Sequence, residues 1–262
     1  MPTDAVLRGV GVLVTRPAHQ AGGLCRLIEE HGGVAQRFPV LEIGDPVDPQ
    51  PLRVVAERLE DYDWAIFISA NAVDRALDSI LAARDWPATT RIAVIGRRSA
   101  QSLQRHGLSA DLYPSHRFDS EALLALPAMQ QVEGQRIVIF RGDGGREHLA
   151  DTLRERGARV DYIEAYRRLR PLTDAAPLLA QWRSGAIDIV VVNSRESLRN
   201  LVAMIGEPGL ALLRGTPLLV VSERMLPIAR ELGVESTPVV AENATDDAVL
   251  QALLAWRKVG GS

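Results

Sequence analysis

Arg159–Arg170, RVDYIEAYRRLR, is too long and too apolar at its start for an ordinary loop. It reads as one extended strand of about twelve residues, roughly twice the usual length, so its two ends serve different bodies. Val34–Ile43, VAQRFPVLEI, has the same character. Each stretch follows a helical pattern that closes in glycine, His31-Gly32-Gly33 and Arg156-Gly157, the left-handed stop expected before a strand. The two stretches therefore read as the two passages of the chain between two domains, with Tyr166 and Arg167 at one of them.

Around them, apolar runs alternate with helical patterns. The runs are Val10–Val14, Trp64–Ile68, Ile92–Ile95, Ile137–Phe140, Ile187–Val192 and Leu218–Val221, none with clean polar alternation. Strands apolar at every position are buried on both faces, as in a parallel sheet covered by helices. Segments such as Arg195–Ile205, with Leu198, Leu201, Val202 and Ile205 at helical spacing, supply the cover. The class is α/β, doubly wound.

An internal repeat orders these pieces. WAIFISANAV, RIAVIGRRSAQSLQRHGL and DLYPSHRFDSEALLAL are echoed by IDIVVVNSRESL, PLLVVSERMLPIARELG and STPVVAENATDDAVLQALL. In both copies the last helix opens on an acidic or hydroxyl cap, Asp119-Ser120 or Thr245-Asp246. A second kind of unit, VGVLVTRPAHQAGGLCRLIEEHGGVAQRFPVLE, opens the chain and recurs in the middle as RIVIFRGDGGREHLADTLRERGARVDYIEAYRR. If each domain needs one unit of each kind, the second domain is inserted in the first. The expected layout is residues 1–37 plus 171–262 for domain 1, and 44–163 for domain 2. Residues 38–43 and 164–170 are then linker strands able to lie antiparallel as a two-stranded hinge, and Gly44–Pro51 is the turn-rich exit of the first.

Composition limits the function classes. A hydrophobic fraction of 47% and a charged fraction of 24% are those of an ordinary folded protein, and a net charge of −3 argues against a general nucleic-acid or anionic-membrane binder. No run approaches a membrane span, and no signal peptide precedes Val10–Val14, so a cytoplasmic address is expected. The single Cys25 excludes an internal disulfide and a multi-cysteine metal site, and among Leu24, Leu27 and Ile28 it reads as a small buried hydrophobe. Lys258 is the only lysine among 30 Lys+Arg, which leaves any anion site to guanidinium groups.

In open parallel sheets a ligand binds beyond the carboxyl ends of the strands. The residues there are Arg16; Ser69, Ala70 and Asn71; Gly96 and Ser99; Arg141, Gly142 and Arg146; Asn193 and Ser194; and Ser222, Glu223 and Arg224. Arginine recurs at five of these six strand ends, counting Arg97, Arg98 and Arg195, which points to a polyanionic ligand. The loop Arg141-Gly142-Asp143-Gly144-Gly145-Arg146 lacks the spacing of a nucleotide fingerprint, leaving a tight turn or a non-nucleotide anion site. Ser69, Ser99 and Ser222 also suit plain helix capping. The five histidines have no metal-ligand spacing, and no GxSxG elbow occurs.

The set LVTRP with Gln20, FISANAV, VIGRRSAQSL, FRGDGGRE, EAYRR and TDDAVLQAL, in that order over nearly the whole chain, resembles the uroporphyrinogen-III synthase family. The resemblance implies two flavodoxin-like domains joined by a two-strand ladder, a deep cleft between them, and no metal or organic cofactor. It implies closure of hydroxymethylbilane, a linear tetrapyrrole with eight carboxylates, into uroporphyrinogen III, with loss of water and inversion of the last ring.

The family's cleft tyrosine, implicated in assisting hydroxyl departure, falls on Tyr166. Its Gly-x-x-Thr-Ala turn falls on Gly96–Ala100, with Ser99 in place of threonine. The counterpart at Ser222–Leu226 departs from the pattern, with Ser222 for glycine and Met225 for the hydroxyl residue, so only backbone contacts carry over there. The expected partner is the small-molecule substrate alone, with no nucleic acid and no membrane, and the expected state is a monomer. A non-catalytic, two-lobed binder of a small polyanion explains the arginines equally well and stays open as the alternative.

Overall fold

The computed structural model describes residues 5–144 and 147–260. Its strands, in chain order, are β1 (Gly11–Val14), β2 (Val34–Arg37), β3 (Glu42–Gly44), β4 (Trp64–Phe67), β5 (Arg91–Val94), β6 (Arg136–Gly142), β7 (Arg159–Leu169), β8 (Ile189–Val192), β9 (Leu218–Val220) and β10 (Val239–Val240). The chain divides into two compact units, Met1–Glu42 with Leu169–Ser262, and the continuous stretch Ile43–Arg168. Each holds a five-stranded α/β sheet of its own.

In the first unit the order is β10-β9-β8-β1-β2, with every pair parallel. Renumbered within the unit this is 5-4-3-1-2, the flavodoxin-like order read from the far edge. Alternation along each strand sends neighbours to opposite faces. Val12, Val14, Ile189, Val191 and Leu219 join one core, under helices Ala18–Glu30 and Asp246–Lys258. Leu13, Val190, Val192, Leu218 and Val220 join the other, under Ala176–Arg183 and Arg195–Arg214. Both faces are thus dry, which is why these strands carry no polar alternation.

The second unit repeats the plan as β3-β7-β6-β4-β5, and Leu112 extends it by a parallel bridge to Ala93 beyond β5. The strands β6 and β7 hold the places that β1 and β2 hold in the other unit, as the sequence repeat requires. Trp64, Ile66, Ile137 and Ile139 share a core with Leu149 and Leu153 of helix His148–Glu155. The rings of Phe67 and Phe140 stack at 4.9 Å, an arrangement that adds about 1 kcal/mol beyond the area it buries.

The two long stretches fare differently. Arg159–Leu169 is one strand of 11 residues, entered through Gly157 at φ 85°. Val34–Ile43 is not one strand but two, β2 and β3, broken over Phe38–Leu41. Pro39 has no N–H to give a ladder and restricts the residue before it. Phe38 and Val40 turn into the core instead, and the Val40 carbonyl accepts from Asn200 Nδ2 at 2.9 Å.

Candidate functional site

In the Ile43–Arg168 unit the polar groups gather where β4 and β6 end. Ser69 follows β4 in extended conformation and caps the helix Ala70–Ala83, its Oγ accepting from Ala72 N at 3.1 Å. Ala70 and Asn71 open that helix, at the positive end of its dipole. Tyr166 arrives on β7. Its Oη lies 3.2 Å from Ser69 Oγ, and the residue is only 7% exposed.

A register shift brings this tyrosine into place. Along β6 and β7, Arg141 faces Glu164 but the next residue, Gly142, faces Tyr166, so Ala165 is the extra residue on β7. A bulge of this kind re-aims the side chain that follows it. The ring then lies across Gly142 so closely that a Cβ there would sit 2.6 Å from Tyr166 Cζ and 2.9 Å from Oη.

Asp143 pins the arrangement, a role that its place in a Gly-rich turn does not announce. Its N–H donates to the Tyr166 carbonyl at 3.0 Å, its Oδ1 accepts from Arg168 N at 2.9 Å, and its carbonyl accepts from Arg168 Nη2 at 3.1 Å. The backbone from Tyr166 to Arg168 is therefore tied to Asp143, the residue that follows β6.

Arg141 is placed otherwise than a ligand contact requires. Arg141 is 6% exposed, its guanidinium 4.6 Å from the Tyr162 ring centroid and its Nε donating to the Gly142 carbonyl at 3.2 Å. Arg146 lies outside the described residues. Gly96 precedes helix Arg97–Arg105, and a Cβ there would meet Phe118 Cβ at 3.2 Å. Ser99 is buried within that helix.

In the other unit the end of β1 is committed to the protein. Arg16, 6% exposed, donates through Nε to Asn193 Oδ1 at 3.2 Å and through Nη2 to the Ala244 carbonyl at 3.1 Å, and its Nη1 pairs with Asp246. Ser194 caps helix Arg195–Arg214, accepting from Ser197 N at 3.0 Å. Ser222 accepts from Arg224 N at 3.3 Å at the head of a single 3-10 turn, while Glu223 and Arg224 are exposed.

A second buried phenol gives a contrast within the same unit. Tyr62 donates to Asp161 Oδ2 at 2.7 Å, and burial, reinforced by that carboxylate, pushes its hydroxyl up to about 12. Cys25 is fully buried and burial pushes its thiol up, as for a packing residue. Among the described residues no group of three or more His, Cys, Asp or Glu is placed to hold a metal ion, and no helix is long and apolar enough to cross a membrane.

Known proteins share this organisation. Residues 23–251 match the family described as uroporphyrinogen-III synthase HemD. The uroporphyrinogen-III synthase of Escherichia coli (strain K12) is 37% identical over 249 residues, which is 93% of this chain and 100% of the relative. The enzyme of that name from Synechococcus elongatus is 30% identical over 261 residues, covering 96% of this chain and 97% of its own. The crystal structure of a mutant uroporphyrinogen III synthase from Thermus thermophilus superposes with a TM-score of 0.62 at 21% identity, over 95% of this chain and 99% of that one, which establishes the fold.

Proposed function

The chain belongs to the uroporphyrinogen-III synthase family and has its hydro-lyase function in tetrapyrrole biosynthesis; from that premise we propose that it closes hydroxymethylbilane with Tyr166 as the acid that releases the ring-A hydroxyl. The observation that carries the role of Tyr166 is its phenol oxygen, 3.2 Å from Ser69 Oγ beside a helix N-terminus at the carboxyl ends of β4 and β6.

In this scheme Tyr166 gives its proton to the hydroxymethyl oxygen, which leaves as water with the C–O electron pair. The pyrrole nitrogen supplies the electrons that make the azafulvene, and its proton returns to the phenolate. The ring-D carbon then attacks the azafulvene carbon, and the spiro intermediate fragments and recloses with that ring inverted. A positioned general acid contributes about 10²–10⁴-fold. The remainder comes from holding a flexible chain in the shape that favours the spiro route over direct closure.

For the substrate's carboxylates we propose, within the Ile43–Arg168 unit, the first-turn backbone of Ala70 and Asn71, with Gly96, as neighbours. Arg16, Arg141, Ser99 and Asn193 serve the protein instead, since each is buried or bonded within its own unit. The buried, unpaired Cys25 accords with a cytoplasmic enzyme, and we propose that it acts as a monomer.

The test is incubation with hydroxymethylbilane and identification of the porphyrin isomer after oxidation. Isomer III is expected from the wild type, and Tyr166→Phe should lower kcat by about 10²-fold while the protein melts normally. A Tyr166→Phe enzyme at the wild-type rate would remove the assigned role.

A further inference from the structure

Tyr166 Oη needs a group that fixes where its proton points and that receives the charge left behind. A phenol 7% exposed has little water to do either. The hydroxyl beside it belongs to Ser69, 97 residues earlier in the chain.

We propose that Ser69 is the positioning residue of the reaction, donating its O–H to Tyr166 Oη so that the phenol O–H is left to the departing hydroxyl. This rests on the reading of Tyr166 as the acid. Ser69 Oγ already accepts from Ala72 N at 3.1 Å, so one of its lone pairs is engaged by the first turn of the helix Ala70–Ala83. Its own proton is the one it has to offer. The resulting chain runs from Ala72 N–H to Ser69 Oγ, from Ser69 O–H to Tyr166 Oη, and from Tyr166 O–H to the leaving oxygen. Each link polarises the next, and the helix N-terminus adds its positive end.

As the proton leaves Tyr166, negative charge develops on Oη, and a hydrogen bond to a charged acceptor is stronger than one between neutral groups. Ser69 therefore holds the transition state more firmly than the resting enzyme, which is the condition for raising kcat rather than lowering KM. Gly142 completes the cradle. Its missing Cβ is the space the ring occupies, with Cζ 2.6 Å from where that atom would stand. The ring cannot slide toward β6 with any other residue there, and the bonds from Asp143 to the backbone of Tyr166 and Arg168 fix the strand.

Ser69 is also a helix cap, so the test must separate capping from donation. Ser69→Ala should lower kcat about 10-fold with KM nearly unchanged, and Ser69→Thr, which keeps both the cap and the O–H, should recover most of the rate. Ser69→Asp caps as well as serine but has no O–H to donate at neutral pH, and it should be as slow as Ser69→Ala while melting like the wild type. In the Tyr166→Phe background Ser69→Ala should change kcat by less than about two-fold, because a residue that acts through another loses its effect when that partner is gone.

An equal loss in both backgrounds overturns the proposal, as does a Ser69→Asp enzyme at full rate. A slow Tyr166→Phe with a fast Ser69→Ala overturns the positioning role alone. A fast Tyr166→Phe overturns the acid as well, so the two readings fail by different signatures.

Discussion

The strand ends of the two units are built from one plan and put to different uses. In the unit Met1–Glu42 with Leu169–Ser262, the arginine after β1 is buried and bonded to Asn193, Asp246 and the Ala244 carbonyl. In Ile43–Arg168 the equivalent arginine near the end of β6, Arg141, lies over Tyr162 and bonds the backbone of Gly142. Beside it stands a hydroxyl pair, Ser69 and Tyr166. The difference teaches where the chemistry resides. The buried arginines at these two strand ends serve the protein itself, while the group that can give a proton is a phenol at a helix N-terminus.

The largest effect that would break this comparison lies at Arg16. Truncation to alanine leaves Asp246 and Asn193 without their partner in a mostly buried place. Asp246 is 34% exposed, so water recovers part of the loss and Arg16→Ala should cost about 3 kcal/mol of stability. Urea denaturation reads the difference directly. A variant that unfolds like the wild type yet binds product more weakly would return Arg16 to the substrate and erase the contrast between the units.

Next in size is Gly142→Ala, in the other unit. The added Cβ would stand 2.6 Å from the Tyr166 ring, so the ring must move. We expect kcat to fall about 10-fold with a smaller change in KM, since displacing a reacting group by a fraction of an ångström acts on the transition state first. Steady-state kinetics against hydroxymethylbilane measure both. An unchanged kcat would mean that the ring position is not what the rate depends on.

Much of the fold was legible because it rests on periodicity. Runs such as Ile189–Val192 are apolar at every position, the repeat fixes which pieces share a sheet, and Gly157 announces the start of β7. The break at Pro39 is written in the sequence too, since a proline inside a strand pattern argues against continuity.

The site was legible in part. Tyr166 and Ser69 could each be singled out, but their meeting depends on a one-residue register shift after Arg141 that no local pattern announces. The fate of Arg16 depends on Asp246, 230 residues away, and on a helix packed so close that a Cβ on Gly23 would meet Asp246 Oδ2. An arginine reads as a ligand for an anion until the fold supplies a nearer carboxylate.

The smallest effect sharpens the comparison within one unit. Tyr62 and Tyr166 are both buried, but the Tyr62 hydroxyl donates a hydrogen bond to Asp161 and is pushed from its ordinary value of 10.0 up to about 12. A phenol whose ionisation is raised by folding stabilises the fold fully below pH 10.0, and that contribution is lost as pH climbs through about 12. Tyr62→Phe should therefore be less stable than the wild type by about 1 kcal/mol near neutrality. The gap should close as the pH rises across that window, while turnover at pH 8 stays within about two-fold of the wild type. Denaturation midpoints as a function of pH, with one rate measurement, check both. If Tyr62→Phe instead slowed turnover as Tyr166→Phe is expected to, the partner of a phenol would not be what divides structure from chemistry in this unit.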